Sequence, residues 1–214
     1  PRLIGQSTTC ALVSTGPDAD YLTVGYPVTA YYYLTCGICE WCCNVLATLC
    51  DIFAGNVGRD VDGGYAEFVK LPSSSFVKIP DGLDYRANPA EIGVVTDAIA
   101  TPIKLVKKAR IQHDNIVAVI GAGGGLGLQM VSVARWAKAR VVAVDVRPGK
   151  LGGGRGDGGE EIIDASAGEM VDALMSVTGG RGADVVIDFV ASQKSLKDGT
   201  RALAKGGRLA ILGG

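Results

Sequence analysis

The sequence predicts an α/β chain, with a β-rich portion over residues 1–88 followed by a doubly wound parallel sheet over residues 89–214. Three observations carry this prediction. Up to Asn88, short apolar stretches alternate with Gly, Pro, Ser and Asp, the punctuation of short strands and turns. Further on, continuous apolar stretches alternate with amphipathic ones, as parallel strands covered on both faces by helices require. The first of those apolar stretches runs straight into a cluster of glycines at Gly121.

In the β-rich portion, strands are expected over residues 11–13, 28–34, 65–70 and 76–78, with a cysteine-bearing lobe at about 36–50 as an excursion. A helix is expected over 89–108, because Ile92, Val95, Ile99, Ile103 and Val106 recur at helical spacing. Lys104, Lys107, Lys108 and Arg110 collect near its end, where cations suit the helix dipole. Strands follow at 116–120, 141–145, 161–163, 184–188 and 208–212, with helices such as 126–138 and 168–178 between them. A complete doubly wound dinucleotide domain has about six strands, one more than this pattern supplies. The run from Leu151 to Gly159 serves no recognisable turn. Each interior glycine costs a helix about 1 kcal/mol relative to alanine. Two readings of the run stay open: a loop, or glycine standing where side chains were not identified.

Length and charge exclude several classes. With 214 residues and a net charge of -1, the chain can bury a substantial core and carries no global basic field for nucleic acid. No apolar run reaches the roughly 18 residues of a membrane span, and no basic-then-apolar leader opens the sequence. No nucleic-acid or membrane partner is expected, and a cytoplasmic location is. The single histidine, His113, lies in the polar turn Gln112-His113-Asp114-Asn115 and is expected at the surface.

Cys36, Cys39, Cys42 and Cys50 stand at C-x2-C-x2-C-x7-C. Thiolates two residues apart converge on one ion across a turn, and zinc accepts four of them at about 2.3 Å. Four protein ligands leave no open position, so the metal is expected to be structural. The alternative is free or disulfide-bonded cysteine, which the adjacency of Cys42 and Cys43 makes awkward. Cys10 and Cys43 are expected to be a buried apolar residue and a lobe neighbour; Trp41 and Trp136 are expected to pack.

Residues 116–120 lead into Gly121-Ala122-Gly123-Gly124-Gly125-Leu126-Gly127 and then a helix, the strand, turn and helix start of a dinucleotide site. Missing Cβ atoms allow a pyrophosphate to approach the backbone at a positive helix end. Gly121, Gly123, Gly124, Gly125 and Leu126 are therefore candidate cofactor-binding residues, the alternative being a tight turn without ligand. Asp145 closes the next strand at about the expected 20 residues downstream, where a carboxylate accepts from both ribose hydroxyls of NAD and repels the 2'-phosphate of NADP.

Cys36-Gly37-Ile38-Cys39-Glu40-Trp41-Cys42 through Cys50, then Asp62-Gly63-Gly64-Tyr65-Ala66-Glu67-Phe68-Val69, then Ile79-Pro80-Asp81-Gly82-Leu83 and the Gly121 turn follow one another in a familiar order. Over nearly its whole length the chain resembles the medium-chain dehydrogenases of the zinc alcohol dehydrogenase family, and its glycine turn is similar to their G-A-x-G-G-L-G. The resemblance implies a GroES-like catalytic portion with a structural-zinc lobe and a Rossmann NAD-binding domain, both truncated relative to the family. It implies hydride transfer between a small alcohol and its carbonyl, NAD and zinc as cofactors, and assembly as a homodimer or homotetramer. Lys150 matches a family position at the adenosine ribose.

The family's catalytic zinc takes a cysteine that lies outside this sequence, a histidine in Gly-His-Glu, and a cysteine or aspartate at the start of the nucleotide domain. The second position falls at Gly5-Gln6-Ser7 and the third at Asp97, with Thr101 matching a threonine beside the nicotinamide. Gln6, Ser7, Asp97 and Thr101 are thus the candidate catalytic residues, and Asp97 the candidate ligand of a catalytic zinc. One carboxylate does not hold zinc, and a glutamine offers only a weak neutral oxygen. Asp97 also reads as a helix-surface carboxylate or cap. Two other functions stay open: a metal-independent quinone or enoyl reductase, a group that normally lacks the cysteine lobe, and a non-catalytic nucleotide-binding protein of the same fold.

Overall fold

The computed structural model describes residues 2–17, 19–147, 149, 161–168 and 170–213. Its contacts divide the chain into two compact units, Pro1–Asp97 and Ala98–Gly214, whereas the sequence pattern puts the junction at 88/89.

The first unit holds short strands β1 (Thr9–Ala11), β2 (Pro27–Ala30), β3 (Tyr33–Leu34), β4 (Gly55–Asn56) and β5 (Phe76–Lys78). β2 is the centre of an antiparallel sheet ordered β1-β2-β5, and β3 pairs with β4. Val28 at 0% exposure packs with Leu12 and Leu22, and half-buried Cys10, Tyr26 and Phe76 close around them. The expected strand over 28–34 is broken in two. Tyr31 N–H donates to the Ser75 carbonyl at 2.7 Å, and Val57 N–H donates to the Tyr32 carbonyl at 2.9 Å, so the chain changes partners at this point. No strand forms over 65–70. There the backbone pairs with the N-terminal strap instead, Gly64 N–H to the Gly5 carbonyl at 2.8 Å and Tyr65 N–H to the Ile4 carbonyl at 3.0 Å. Tyr65 and Phe68 consequently remain 73% and 71% exposed, with no core for their alternation to face.

The expected continuous helix over 89–108 is three pieces: α2 (Pro89–Gly93), a π-turn (Val95–Ile99) and α3 (Ala100–Lys108); a small helix, α1 (Glu40–Cys43), belongs to the lobe. Pro102 explains the interruption, because it has no N–H to give the Ala98 carbonyl and its ring crowds that turn. The extra π residue rotates the buried face: Pro102 and Leu105 are buried, while Ile103, which the spacing placed inside, is 41% exposed.

The second unit is a five-stranded parallel sheet of β6 (Ile116–Ile120), β7 (Arg140–Asp145), β8 (Glu161–Asp164), β9 (Ala183–Asp188) and β10 (Leu203–Ile211), ordered β10-β9-β6-β7-β8. Alternate residues of β6 go to opposite faces. Val117 and Val119 pack on Met130 and Ala134 of α4 (Gly125–Trp136), whereas Ala118 and Ile120 face Leu174 of α5 (Met170–Val177) and Ala202. A further helix, α6 (Gln193–Arg201), escapes sequence reading because it buries Ser195 and Gly199 rather than large apolar residues. Trp136 does not pack as expected; it is 74% exposed at the end of α4. Register aligns Ile120 with Val144 on one side and with Asp188 on the other. The strand order reverses at β6, which opens a crevice at its carboxyl end, the usual ligand position in such sheets. No helix among the described residues is long and apolar enough to cross a membrane.

Asp184 ties the starts of β6 and β9 together, accepting from Ile116 N–H at 2.8 Å and from both Arg181 guanidinium nitrogens at 3.0 and 2.6 Å. The Arg181 hydrogen bond, then the Ile116 N–H, holds its carboxyl below the usual carboxylate range. A depressed folded value means the stabilisation is complete above the unfolded pKa of about 3.9 and is lost as pH falls through the lower folded value. Asp184→Asn is expected to cost about 1–2 kcal/mol at neutral pH. Urea midpoints of the two proteins, measured from pH 7 downwards, should converge only below about pH 4.

Candidate metal centre and nucleotide crevice

The lobe gathers its cysteines by backbone geometry. Cys39 is the extended residue that precedes α1, Cys42 lies within that helix, and Cys50 follows the 3-10 turn Ala47–Leu49. Cys36 N–H points at the Cys50 sulfur at 3.3 Å, and Cys39 N–H at the Cys36 sulfur at 3.4 Å. All four sulfurs lie within 4.8 Å of one another, with separations of 3.6 Å for Cys36–Cys50 and 4.0 Å for both Cys36–Cys42 and Cys39–Cys50. Sulfurs about 2.3 Å from one tetrahedral ion stand about 3.8 Å apart, so the donor set fits zinc. Cys43 turns away, its thiol directed at the Ile38 carbonyl at 3.5 Å.

Thiols this close cannot all ionise alone. The N–H groups of Cys42 and Asp51 lower the Cys39 thiol to about 6, while burial, followed by the hydrogen bond to Cys39, pushes Cys42 up to about 12. A central dication relieves that conflict and deprotonates every ligand.

In the crevice, Gly121 has φ +80°, and a Cβ there would lie 3.0 Å from Val190 Cγ2. The N–H groups of Gly121 and Ala122 donate to the Val144 carbonyl, Gly124 N–H donates to the Gly121 carbonyl, and Gly123 N–H donates to Asp145 Oδ2 at 2.8 Å. The turn thus consumes its own donors. Those left without a backbone acceptor among the described residues are Gly125, Leu126 and Gly127, the first turn of α4. Gly127 is a residue that sequence reading passed over: a Cβ there would come 2.1 Å from the Gly121 carbonyl oxygen. This is the close helix–strand contact that the third glycine of such turns permits. The repeat spacing, with Gly127 one place later than the strict pattern, was the available signal.

Asp145 is fixed by two backbone donors, Gly123 N–H and Arg147 N–H, each at 2.8 Å. A carboxylate has about four acceptor positions, so two remain for a ligand. Asp188, a second residue the sequence reading missed, is fully buried at the end of β9 and accepts from Val190 and Ala191 N–H at 2.8 and 3.0 Å. It thereby holds the turn that sets Val190 against Gly121. Lys150 and the run 151–160 lie outside the described residues.

In the first unit, Gln6 Nε2 donates to Asp97 Oδ2 at 2.7 Å, across a separation of 91 in sequence. The strap pairing at Gly5 and the hydrogen bond of Thr96 Oγ1 to the Ala30 carbonyl at 2.9 Å bring the two together. Tyr32 stands beside them; burial, its Tyr33 hydrogen bond and the Asp97 charge hold its phenol above the usual range. Ser7 is exposed next to Gln6, and Thr101 is half-buried in the first turn of α3. Among the described residues the four cysteines are the only cluster of His, Cys, Asp or Glu close enough to share an ion. Asp97 already receives an amide proton from the residue that stands at the histidine position, so a catalytic zinc does not fit these side chains. His113 is on the surface, paired with Asp114 at 2.7 Å.

Residues 1–81 match the alcohol dehydrogenase GroES-like domain, and residues 125–214 match the zinc-binding dehydrogenase domain. The chain belongs to the zinc-containing medium-chain dehydrogenases. It is 33% identical over 179 residues to an NAD-dependent alcohol dehydrogenase of Sulfurisphaera tokodaii, covering 83% of this chain and 50% of that protein. It is 29% identical over 214 residues to an L-threonine 3-dehydrogenase of Caldanaerobacter subterraneus subsp. tengcongensis, covering 59% of it. The solved alcohol dehydrogenase of Aeropyrum pernix superposes with a TM-score of 0.90 at 30% identity, over 100% of this chain and 62% of that one. The chain therefore spans between half and two thirds of the length of these relatives. The GroES-like and Rossmann architecture is that of the family.

Elemental analysis of the chain is expected to find one zinc per molecule, and Cys39→Ser to find none while far-ultraviolet dichroism of the nucleotide unit persists. Zinc retained by Cys39→Ser would remove the lobe as its binding site.

Proposed function

We propose that this chain carries the cofactor-binding machinery of an NAD-dependent oxidoreductase that interconverts a small alcohol and its aldehyde or ketone. The observation that carries the reading is the pairing, at one strand-end crevice, of three free helix N–H groups with a fixed carboxylate that has spare acceptor capacity. Gly125, Leu126 and Gly127 offer donors for a pyrophosphate at the positive end of α4. Asp145 accepts from the two hydroxyls of the adenosine ribose, and its charge opposes a 2'-phosphate. NAD, when bound, supplies the nicotinamide carbon that accepts the hydride.

In the first unit Gln6, Ser7 and Asp97 are the candidates for orienting the alcohol or carbonyl, and in the second unit Thr101 is the candidate beside the nicotinamide. The Gln6–Asp97 hydrogen bond holds the carboxylate in place and directs its remaining lone pairs elsewhere, and Tyr32 keeps its proton at neutral pH. These groups can position a hydroxyl or carbonyl oxygen by hydrogen bonds. That same pair favours, as a second reading, a metal-independent reductase that binds NAD in the same way. The four-cysteine lobe weighs against it. Both readings place a homodimer or homotetramer, as the family relationship suggests, within the proposal.

Asp145→Ala is expected to weaken NAD binding about tenfold and to narrow the preference over NADP by a similar factor. Calorimetric titration of both dinucleotides checks this. Tighter binding of NADP than of NAD by the unmodified chain would overturn the ribose assignment.

A further inference from the structure

Beside Asp145 the crevice widens into a cleft whose floor is Ile120, Val144 and Met170, all buried, and whose rims are Val146 and Val190, 57% and 52% exposed. An apolar slot between two β-branched side chains suits a planar heterocycle, and its few polar groups then decide which one. Apart from Asp145, those groups come from the head of α6. Ser192 and Ser195 are already spent on each other: Ser195 N–H donates to Ser192 Oγ at 3.0 Å, Ser192 N–H to Ser195 Oγ at 2.9 Å, and the two hydroxyls lie 3.0 Å apart. What remains is the pair Lys194–Asp198. Asp198 Oδ2 accepts from Lys194 Nζ at 2.6 Å, and no hydrogen bond to its other oxygen occurs among the described residues. The Asp198 side chain is 14% exposed and that of Lys194 is 62% exposed. The cleft therefore presents an inner acceptor with spare capacity, flanked on its outer side by a donor with two unused N–H groups.

Adenine matches that order, because its exocyclic amine donates beside a ring nitrogen that accepts. We propose that Asp198 and Lys194 read the adenine edge of the dinucleotide, Asp198 accepting from the 6-amino group and Lys194 donating to the adjacent ring nitrogen. The inference rests on the nucleotide reading above and adds to it a selectivity for the base. Hypoxanthine puts a carbonyl oxygen where adenine has its amine, so it faces the carboxylate with a second acceptor and leaves the Asp198 oxygen that Lys194 does not engage without a donor in a largely buried position. On an ordinary helix surface a Lys–Asp pair four residues apart contributes only a few tenths of a kcal/mol and selects nothing, which is the outcome the test must separate.

Calorimetric titration with AMP, IMP and NAD tests this. The unmodified chain is expected to bind AMP about tenfold more tightly than IMP, the size of one well-placed buried hydrogen bond. Asp198→Asn, whose amide can donate to a carbonyl, should erase or reverse that ratio. Lys194→Met, which leaves the inner acceptor in place, should weaken AMP a few-fold and keep the preference for it, so the proposal stays testable even where Asp198→Asn fails to fold. Equal affinities for AMP and IMP in the unmodified chain, with NAD still bound, would overturn the edge reading and leave the nucleotide reading standing. Failure of all three ligands to bind would remove the nucleotide reading itself.

Discussion

The nucleotide unit is organised around a single close approach, that of the first turn of α4 to the end of β6. The Gly127 Cα packs against the Gly121 carbonyl and Ala122 so tightly that a methyl group would overlap the oxygen. This contact lets α4 begin directly after the glycine turn, packed on the face of the sheet and with its unpaired N–H groups at the crevice. The turn that makes the approach possible uses its own donors to fold, on Val144, on Gly121 and on Asp145. The acidic residue is thus part of the turn before any ligand arrives. A site with its carboxylate held by backbone donors loses little freedom on binding, which is the general advantage of preorganisation.

The cysteine lobe is held by a different kind of constraint. It contributes Cys50 but no large buried side chain of its own, and Ile38, Val45, Leu49 and Ile52 are exposed around it. Its order comes from sulfur positions imposed by turns and short helices. Four thiols at tetrahedral spacing carry opposed titration tendencies that only a cation reconciles. A zinc held by these thiols would couple metal to fold in the lobe, whereas the parallel sheet rests on two apolar layers that need no ion.

Near Asp97 two backbone irregularities meet. The π-turn that carries it exists because Pro102 cannot continue a regular helix, and π-turns are frequent at functional sites. The N-terminal strap is pinned to residues 63–65, which delivers Gln6 to the carboxylate. The result is a neutral amide hydrogen-bonded to an acid, where the family arrangement asks for an imidazole and a metal. Geometry that would serve a cation instead serves a hydrogen bond, and the tyrosine beside it is held in its protonated form.

Much of this was legible in the residues themselves. Continuous apolar strands, the glycine turn, Asp145 at the end of the next strand and the four cysteines are local patterns, and each is fixed by chemistry within a few positions of itself: burial on both faces, freedom from Cβ, metal-ligand spacing. What the sequence left undetermined depends on partners far along the chain. Residues 65–70 alternate like a strand but form none, because the strap at 3–5 takes the pairing of 63–65 just before them, and α6 has no apolar stripe because it buries serine and glycine. The helix over 89–108 reads as one periodic stretch until the proline inserts a π residue and rotates its face. Gln6 and Asp97 stand 91 positions apart and show no mutual signal before folding. Only tertiary structure decides such pairs, because a hydrogen bond or a helix face is chosen by whichever surface arrives opposite it, and local periodicity carries no record of that surface.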